Sequence, residues 1–252
     1  MTDTCRTKAR DAFEDNIADA EVLLKYARAF QNNRQRKMRS ELKARVGEAI
    51  RVSARDRGKM DCLASDDLFV VFRDATKLGP ARFKDLRPLL RPAIVAACAA
   101  FETFVADRAM DFVSKALKAE DAPNRLRGLP LTVGRWIDIE EKYERRQWGI
   151  RSVIEENVRE ISSTAPNKVG EVLSVVGFKN WSSKIDKMRK VAKGTTVQQL
   201  EILTARRNQI AHSADRKGLG RATLEIDEVN AFLEQIRGIV QALDAEFAKH
   251  IV

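Results

Sequence analysis

Residues 200–212, LEILTARRNQIAH, hold the side chains of this chain that are best suited to chemistry. The apolar spacing predicts an amphipathic helix over residues 197–213. Its core-facing positions are Leu200, Leu203, Ile210 and Ala211. Arg207 falls on the same stripe, so we expect its charge to be paired or to face a shared cleft rather than open water.

Arg207 and His212 combine a permanent cation with a group that can carry a proton near neutral pH. A histidine titrates near neutrality and can move a proton, and a guanidinium binds phosphate oxygens in a bidentate manner. Five residues along an ideal helix correspond to a rise of about 7.5 Å and a rotation of about 140°. The two side chains therefore do not meet readily within one helix, whereas two copies packed about a two-fold axis would bring both pairs into one groove. Asn208, one turn before His212, shares a neighbouring face.

The run from Arg207 to His212, RNQIAH, resembles the Arg-x(4–6)-His motif of the HEPN superfamily. The following loop, with Asp215 and Gly218, and the segment IDEVNAFLEQIRGIVQALD resemble the C-terminal half of HEPN proteins of the RiboL-PSP type. The earlier segment CAAFETFVADRAMDFV resembles the first core helix of that family. The resemblance covers about residues 85–252.

This resemblance implies metal-independent RNA cleavage by a homodimer, with no cofactor and no metal site. The 2′-hydroxyl would attack the adjacent phosphorus, with Arg207, Asn208 and His212 as the catalytic residues. Arg206 would add phosphate affinity, and Glu102 matches an acidic residue that several HEPN proteins place near the motif. The family habit implies a toxin or phage-defence effector, with RNA and an antitoxin or regulatory protein as partners.

Two other interpretations remain open at this point. The chain is then either a non-catalytic HEPN module that binds RNA or protein, or a structural helical dimer. In the structural dimer, Arg207 would pair with an acid such as Glu102, and His212 would cap its helix. The tryptophans favour core or interface packing over stacking on bases; they are Trp136, Trp148 and Trp181.

The periodicity predicts an all-α fold, a HEPN-type helical bundle with an N-terminal helical hairpin. We expect the hairpin lobe in residues 1–80 and the HEPN-like domain in residues 81–252. Long helices are predicted over residues 7–31, 93–119 and 227–250, the last with Asp227 as N-cap. Residues 54–62 read as a loop, and residues 66–78 as a helix because no partner strand is evident for Leu68–Phe72.

Composition limits the partners and the compartment. The chain has 252 residues, with 46 Lys plus Arg against 36 Asp plus Glu, a net charge of +10, and such a balance attracts polyanions. Three widely spaced cysteines and two histidines fit neither a disulfide framework nor a zinc site. We see no signal segment and no apolar run of membrane-spanning length, so we expect a cytoplasmic protein without a membrane partner.

Overall fold

The computed structural model describes residues 7–32, 36–37, 40–57, 60–63, 70–72, 86–213, 215–218 and 220–249. Helices dominate it, which confirms the all-α prediction. The helices are α1 (Lys8–Asn32), α2 (Ser40–Ala49), α3 (Ala54–Arg57), α4 (Arg87–Lys118), α5 (Asn124–Arg127), α6 (Val133–Lys142), α7 (Arg146–Ile161), α8 (Pro166–Val175), α9 (Trp181–Arg189), α10 (Thr195–Ser213) and α11 (Ile226–Ala248). The strands are β1 (Arg36–Lys37), β2 (Met60–Leu63), β3 (Val70–Phe72), β4 (Arg216–Lys217) and β5 (Gly220–Arg221).

Helix α4 is the central element, and α1, α7, α8, α10 and α11 all pack against it. Its small residues, such as Ala97 and Ala109, are buried together with Phe101 and Phe104. A helix that is apolar on most of its faces belongs in the interior of a fold. By length and composition α4 alone among the described helices could cross a membrane, contrary to our expectation, but 61% of its most apolar window is buried inside the protein.

The start of α4 differs from the prediction, because the helix begins at Arg87 rather than at residue 93. Pro88 lies in the first turn, where the missing N–H is not needed. Pro92 lies inside the helix and removes one backbone hydrogen bond there. The earlier start places Arg91 on α4, which matters for the site described below.

The N-terminal region is part helix and part sheet. Phe13 and Ile17 of α1 are buried in the same core as α4 and α11, so α1 is integrated into the main body. The predicted helix over residues 66–78 is wrong where the structure describes it, because β3 pairs antiparallel with β2. The partner strand lies in the segment predicted to be a loop. The boundary expected at residues 80–81 lies outside the described residues and stays a prediction.

The C-terminal half follows the predicted order. Helix α10 ends at Ser213, as expected, and a two-stranded hairpin of β4 and β5 connects it to α11. Helix α11 begins at Ile226 with Glu225 in the N-cap position, so Asp227 lies in the first turn and not at the cap. An acidic residue in that turn still interacts favourably with the helix dipole.

Candidate active site

The N-terminus of α10 is held by Asp186, a buried residue of α9. Its carboxylate accepts hydrogen bonds from the backbone N–H of Gly194 at 2.6 Å and of Thr196 at 2.9 Å. Burial alone would raise the pKa of Asp186, but hydrogen bonds from Thr196 and Gly194 and the charge of Arg189 outweigh it, so the pKa is lowered. These bonds satisfy two backbone donors at the start of the helix that carries the motif.

The C-terminus of α10 is held by a second buried carboxylate, Asp215, whose side chain is 1% exposed. Arg91 Nε donates to its Oδ2 at 2.8 Å, and Arg206 Nη1 donates to its Oδ1 at 2.6 Å. The backbone N–H of Asp215 also donates to the carbonyl of Gln209 at 2.9 Å. Asp215 has φ = 61°, a left-handed conformation that aspartate tolerates better than most residues. We call Asp215, Arg91 and Arg206 the aspartate clamp.

The clamp defines the environment of Arg206. Its side chain is 11% exposed, and its Nη2 donates to the carbonyl of Thr223 at 2.7 Å. Glu228 lies 3.8 Å from its Nε. The guanidinium therefore joins α10, the β4–β5 hairpin and the start of α11 within this chain.

Arg207 has a different environment, on the side of α10 that faces α4. Its Nη1 donates to Oδ1 of the adjacent Asn208 at 3.2 Å, and its buried Nε has no hydrogen-bond partner among the described residues. The half-buried Glu102 on α4 is close enough for the charge of Arg207 to lower its pKa, but no ion pair joins them in the described part of the chain. Most of the donors of this guanidinium therefore have no partner among the residues that the structure describes.

Glu102 belongs to a polar cluster between α4, α10 and the start of α8. Its Oε1 accepts from the backbone N–H of Thr164 at 3.0 Å, and Thr204 Oγ1 lies 3.0 Å from Thr164 Oγ1. Burial raises the pKa of Glu102, while the Thr164 hydrogen bond and the charge of Arg207 oppose that rise. Burial and the charge of Glu102 raise the pKa of Cys98 to about 12, so Cys98 is a neutral thiol and not a nucleophile.

His212 lies on the opposite side of α10 from the core, and its side chain is exposed. It has no hydrogen bond or ion pair with the residues that the structure describes. Asn208 and Ala205 are exposed on the same face, and Ile202, one residue to the side, is 53% exposed. Within one chain the imidazole is thus separated from the Arg207 guanidinium by a large part of the helix circumference.

The model of the family described as RiboL-PSP-HEPN matches residues 68–249. The chain belongs to the RiboL-PSP-HEPN family. No curated protein and no solved structure shows a significant match to it. The predicted membership of the HEPN superfamily is thereby confirmed, and this membership suggests a function related to RNA.

In this HEPN chain the structure does not bring all the predicted site residues together. Glu102 and Arg207 are neighbours where α10 packs on α4. Asn208 and His212 are exposed on the far face of α10, and Arg206 lies in the aspartate clamp. Of the core positions expected on α10, Leu200 and Leu203 are buried, but Ile210 is only half-buried and Ala211 is exposed, because the end of α10 extends beyond the core.

Two features of the site were missed by sequence reasoning. Thr164 lies in a loop and contacts Glu102 across 62 positions of sequence. The sequence places Asp215 in a loop and gives one signal of its role, since it is the acid in an otherwise basic run, DRKGLGR. No group of three or more possible metal ligands (His, Cys, Asp or Glu) occurs within the described ranges. Trp181 is buried, whereas Trp136 and Trp148 are exposed far along the chain from α10.

Proposed function

We propose that the chain is a metal-independent endoribonuclease whose active site forms between two copies of α10. The observation that carries the proposal is the state of Arg207. This guanidinium is held on α10 with most of its donors unused by the described residues, in a family motif that ends in an exposed histidine. A fixed cation with free donors is suited to the charge that develops on a pentacoordinate phosphorus.

The reaction needs few groups. The 2′-hydroxyl oxygen bonds to the adjacent phosphorus, and the bond from phosphorus to the 5′-oxygen breaks. The proton of the 2′-hydroxyl passes to a base, and the leaving 5′-oxygen takes up a proton from an acid. The products are a 2′,3′-cyclic phosphate and a 5′-hydroxyl. In each of two equivalent sites, His212 of one copy would take the proton from the 2′-hydroxyl and then deliver a proton to the 5′-oxygen, and Arg207 of the other copy would stabilise the phosphorane.

The remaining residues support these roles. The carbonyl oxygen of Asn208 holds one arm of the Arg207 guanidinium, so Asn208 orients the cation. Glu102 faces Arg207 from α4 and balances its charge before substrate binds. Arg206 is occupied by the aspartate clamp, so its contribution is to position Arg207 and His212 rather than to bind phosphate directly.

A second copy of the chain completes this proposed site. The exposed face of α10 carries Ile202, Ala205, Asn208 and His212, a combination of small, apolar and polar groups on which a second α10 can pack. Dimerisation through this face would bring each His212 towards the other helix. We further propose a cytoplasmic toxin or phage-defence effector that an antitoxin or regulatory protein restrains.

The test is cleavage of a single-stranded RNA oligonucleotide in EDTA by the wild type, His212→Ala and His250→Ala. The chain has only two histidines, so His250→Ala is the matched control. We expect His212→Ala to lose about 10²–10⁴-fold in rate and His250→Ala to retain activity. The wild-type products should end in cyclic phosphates, and a 2′-deoxy linkage should resist cleavage. Equal cleavage by all three proteins, or a requirement for magnesium, would refute the proposal.

The second candidate function is a non-catalytic HEPN module that binds RNA or a protein. It is favoured by the absence, in the described part of the chain, of any group that orients the His212 imidazole. RNA binding without cleavage in the same experiment would select this function.

A further inference from the structure

The β4–β5 hairpin places two arginines directly opposite each other. Arg216 pairs with Arg221 in the antiparallel register, and both side chains are exposed. Like charges at directly opposed positions destabilise a strand pair. A hairpin of two residues per strand has little else to offset that repulsion, so the arrangement favours an anionic group between or beside the two guanidinium groups.

No acid of the hairpin neutralises these charges. Residues 216–223, RKGLGRAT, contain no aspartate or glutamate. The neighbouring acid, Asp215, is buried and already bound by Arg91 and Arg206. In the described part of the chain neither Arg216 nor Arg221 has an ion pair. The guanidinium groups of Arg216 and Arg221 are therefore exposed to solvent, with no acid neutralising them among the described residues.

The backbone of the hairpin is nevertheless fixed to the body of the protein. The N–H of Ala222 donates to the carbonyl of Asp215 at 2.8 Å. Arg206 and Arg87 donate to the carbonyls of Thr223 and Arg221 at 2.7 and 3.4 Å. These bonds tie the base of the hairpin to α10 and α4. The two arginines are thus presented on a fixed hairpin that begins four residues after His212.

We propose that Arg216 and Arg221 form a phosphate-binding pair that holds the RNA backbone beside His212. The proposal rests on the proposed function, because RNA is the polyanion that the adjacent site would cleave. It assigns to the hairpin a role in RNA affinity and none in proton transfer. Two guanidinium groups on opposed strands would bind neighbouring phosphates without reading the bases.

The test measures binding of a labelled 12-nucleotide single-stranded RNA to the His212→Ala protein over a range of salt concentrations. Three further proteins share the His212→Ala background. One carries Arg216→Ala with Arg221→Ala, and one carries Arg216→Lys with Arg221→Lys. The third, a matched control, carries Lys179→Ala with Lys193→Ala, two exposed cations in the loops before and after α9.

Each phosphate contact contributes a slope of about 0.7 to the logarithm of affinity against the logarithm of salt concentration. The Arg-to-Ala pair should therefore reduce the slope by about 1.4, which corresponds to roughly 25-fold weaker binding at 0.1 M salt relative to 1 M. The Arg-to-Lys pair should keep most of the slope, and the control should change it little. Without RNA, the Arg-to-Ala protein should melt at the same temperature or higher, because cross-strand repulsion is relieved.

The outcomes separate this proposal from the proposed function. An unchanged slope in the Arg-to-Ala protein, or an equal reduction in the lysine control, would overturn the hairpin assignment and leave the ribonuclease intact. No RNA binding by the His212→Ala parent would overturn both RNA proposals. A hairpin that binds an acidic protein instead would show the Arg-to-Ala defect with that protein and none with RNA, which also overturns the assignment.

Discussion

The two adjacent arginines of the motif should separate into a stability residue and a function residue. Arg206→Ala removes two short hydrogen bonds, one to the Asp215 carboxylate at 2.6 Å and one to the Thr223 carbonyl at 2.7 Å, and a longer one to Gln209 at 3.5 Å. Hydrogen bonds that involve a charged group contribute about 1.5–3 kcal/mol each. The low exposure of both partners limits solvent screening of this pair. The loss should therefore be at least about 3 kcal/mol in the free energy of unfolding.

Arg207→Ala removes much less. Among the described residues its side chain has one hydrogen bond, to the exposed Asn208 at 3.2 Å. Because this bond is long and open to solvent, we expect it to contribute about 1 kcal/mol or less. For a chain of this size each kcal/mol shifts the melting temperature by about 2–4 °C. We therefore expect a drop of about 6–12 °C for Arg206→Ala and at most about 4 °C for Arg207→Ala.

Thermal unfolding followed by circular dichroism, with RNA cleavage measured at 25 °C on the same samples, tests this separation. Arg207→Ala should remain folded and lose cleavage, whereas Arg206→Ala should lose stability first. If Arg207→Ala lowers the melting temperature as much as Arg206→Ala, then Arg207 is a structural partner of Glu102 and the reasoning is refuted.

Three further predictions concern the titrating groups around α10. Arg207→Ala should raise the pKa of Glu102 further, because the charge of Arg207 now lowers it; carbon-detected NMR titration measures this, and an unchanged pKa would show that the two groups are not neighbours. Cys98, with a pKa of about 12, should be a thiolate in roughly one molecule in ten thousand at pH 8. In a variant with Cys5→Ser and Cys62→Ser, Cys98 should resist alkylation until the protein unfolds. Fast alkylation of the folded variant would contradict the burial of this thiol. Asp186 has a lowered pKa in the folded state, so its stabilisation is complete above the unfolded pKa near 3.8 and is lost as the pH falls through the folded pKa. Asp186→Asn should have a lower melting temperature at pH 7, and its melting temperature should fall less steeply as the pH is lowered. The same fall with pH in both proteins would exclude this carboxylate as the cause.

Local sequence patterns were sufficient for the helices that carry the motif. The period of residues 197–213 predicted α10 to within two residues at its start and to its last residue. The long apolar stripes of α1 and α11 likewise predicted those helices closely. Such helices can be predicted from sequence because one face of each packs on a common core, and this packing sets the spacing of their apolar residues.

Polar contacts between residues far apart in the sequence could not be predicted from local patterns. Arg91 and Asp215 are 124 positions apart, and nothing in either local pattern signals that they meet. The same holds for β3, whose β-branched Val70 and Val71 suit a strand. Its partner strand β2 lies in a segment whose sequence predicted a loop. For this reason the sequence predicted that Arg206 binds phosphate. Only the folded chain shows that its guanidinium is already bound by the Asp215 carboxylate.

The measurement that tests the central claim most directly is complementation between two inactive proteins. Arg207→Ala and His212→Ala are prepared separately, shown to lack RNA cleavage, and then mixed under conditions that allow subunits to exchange. If each site takes Arg207 from one chain and His212 from the other, a mixed dimer has one site with both residues intact and one site that lacks both. Random exchange makes half of the dimers mixed, so the mixture should recover about a quarter of the wild-type activity. A mixture that stays as inactive as its components, although exchange of subunits is demonstrated, would contradict a site shared between two copies of α10.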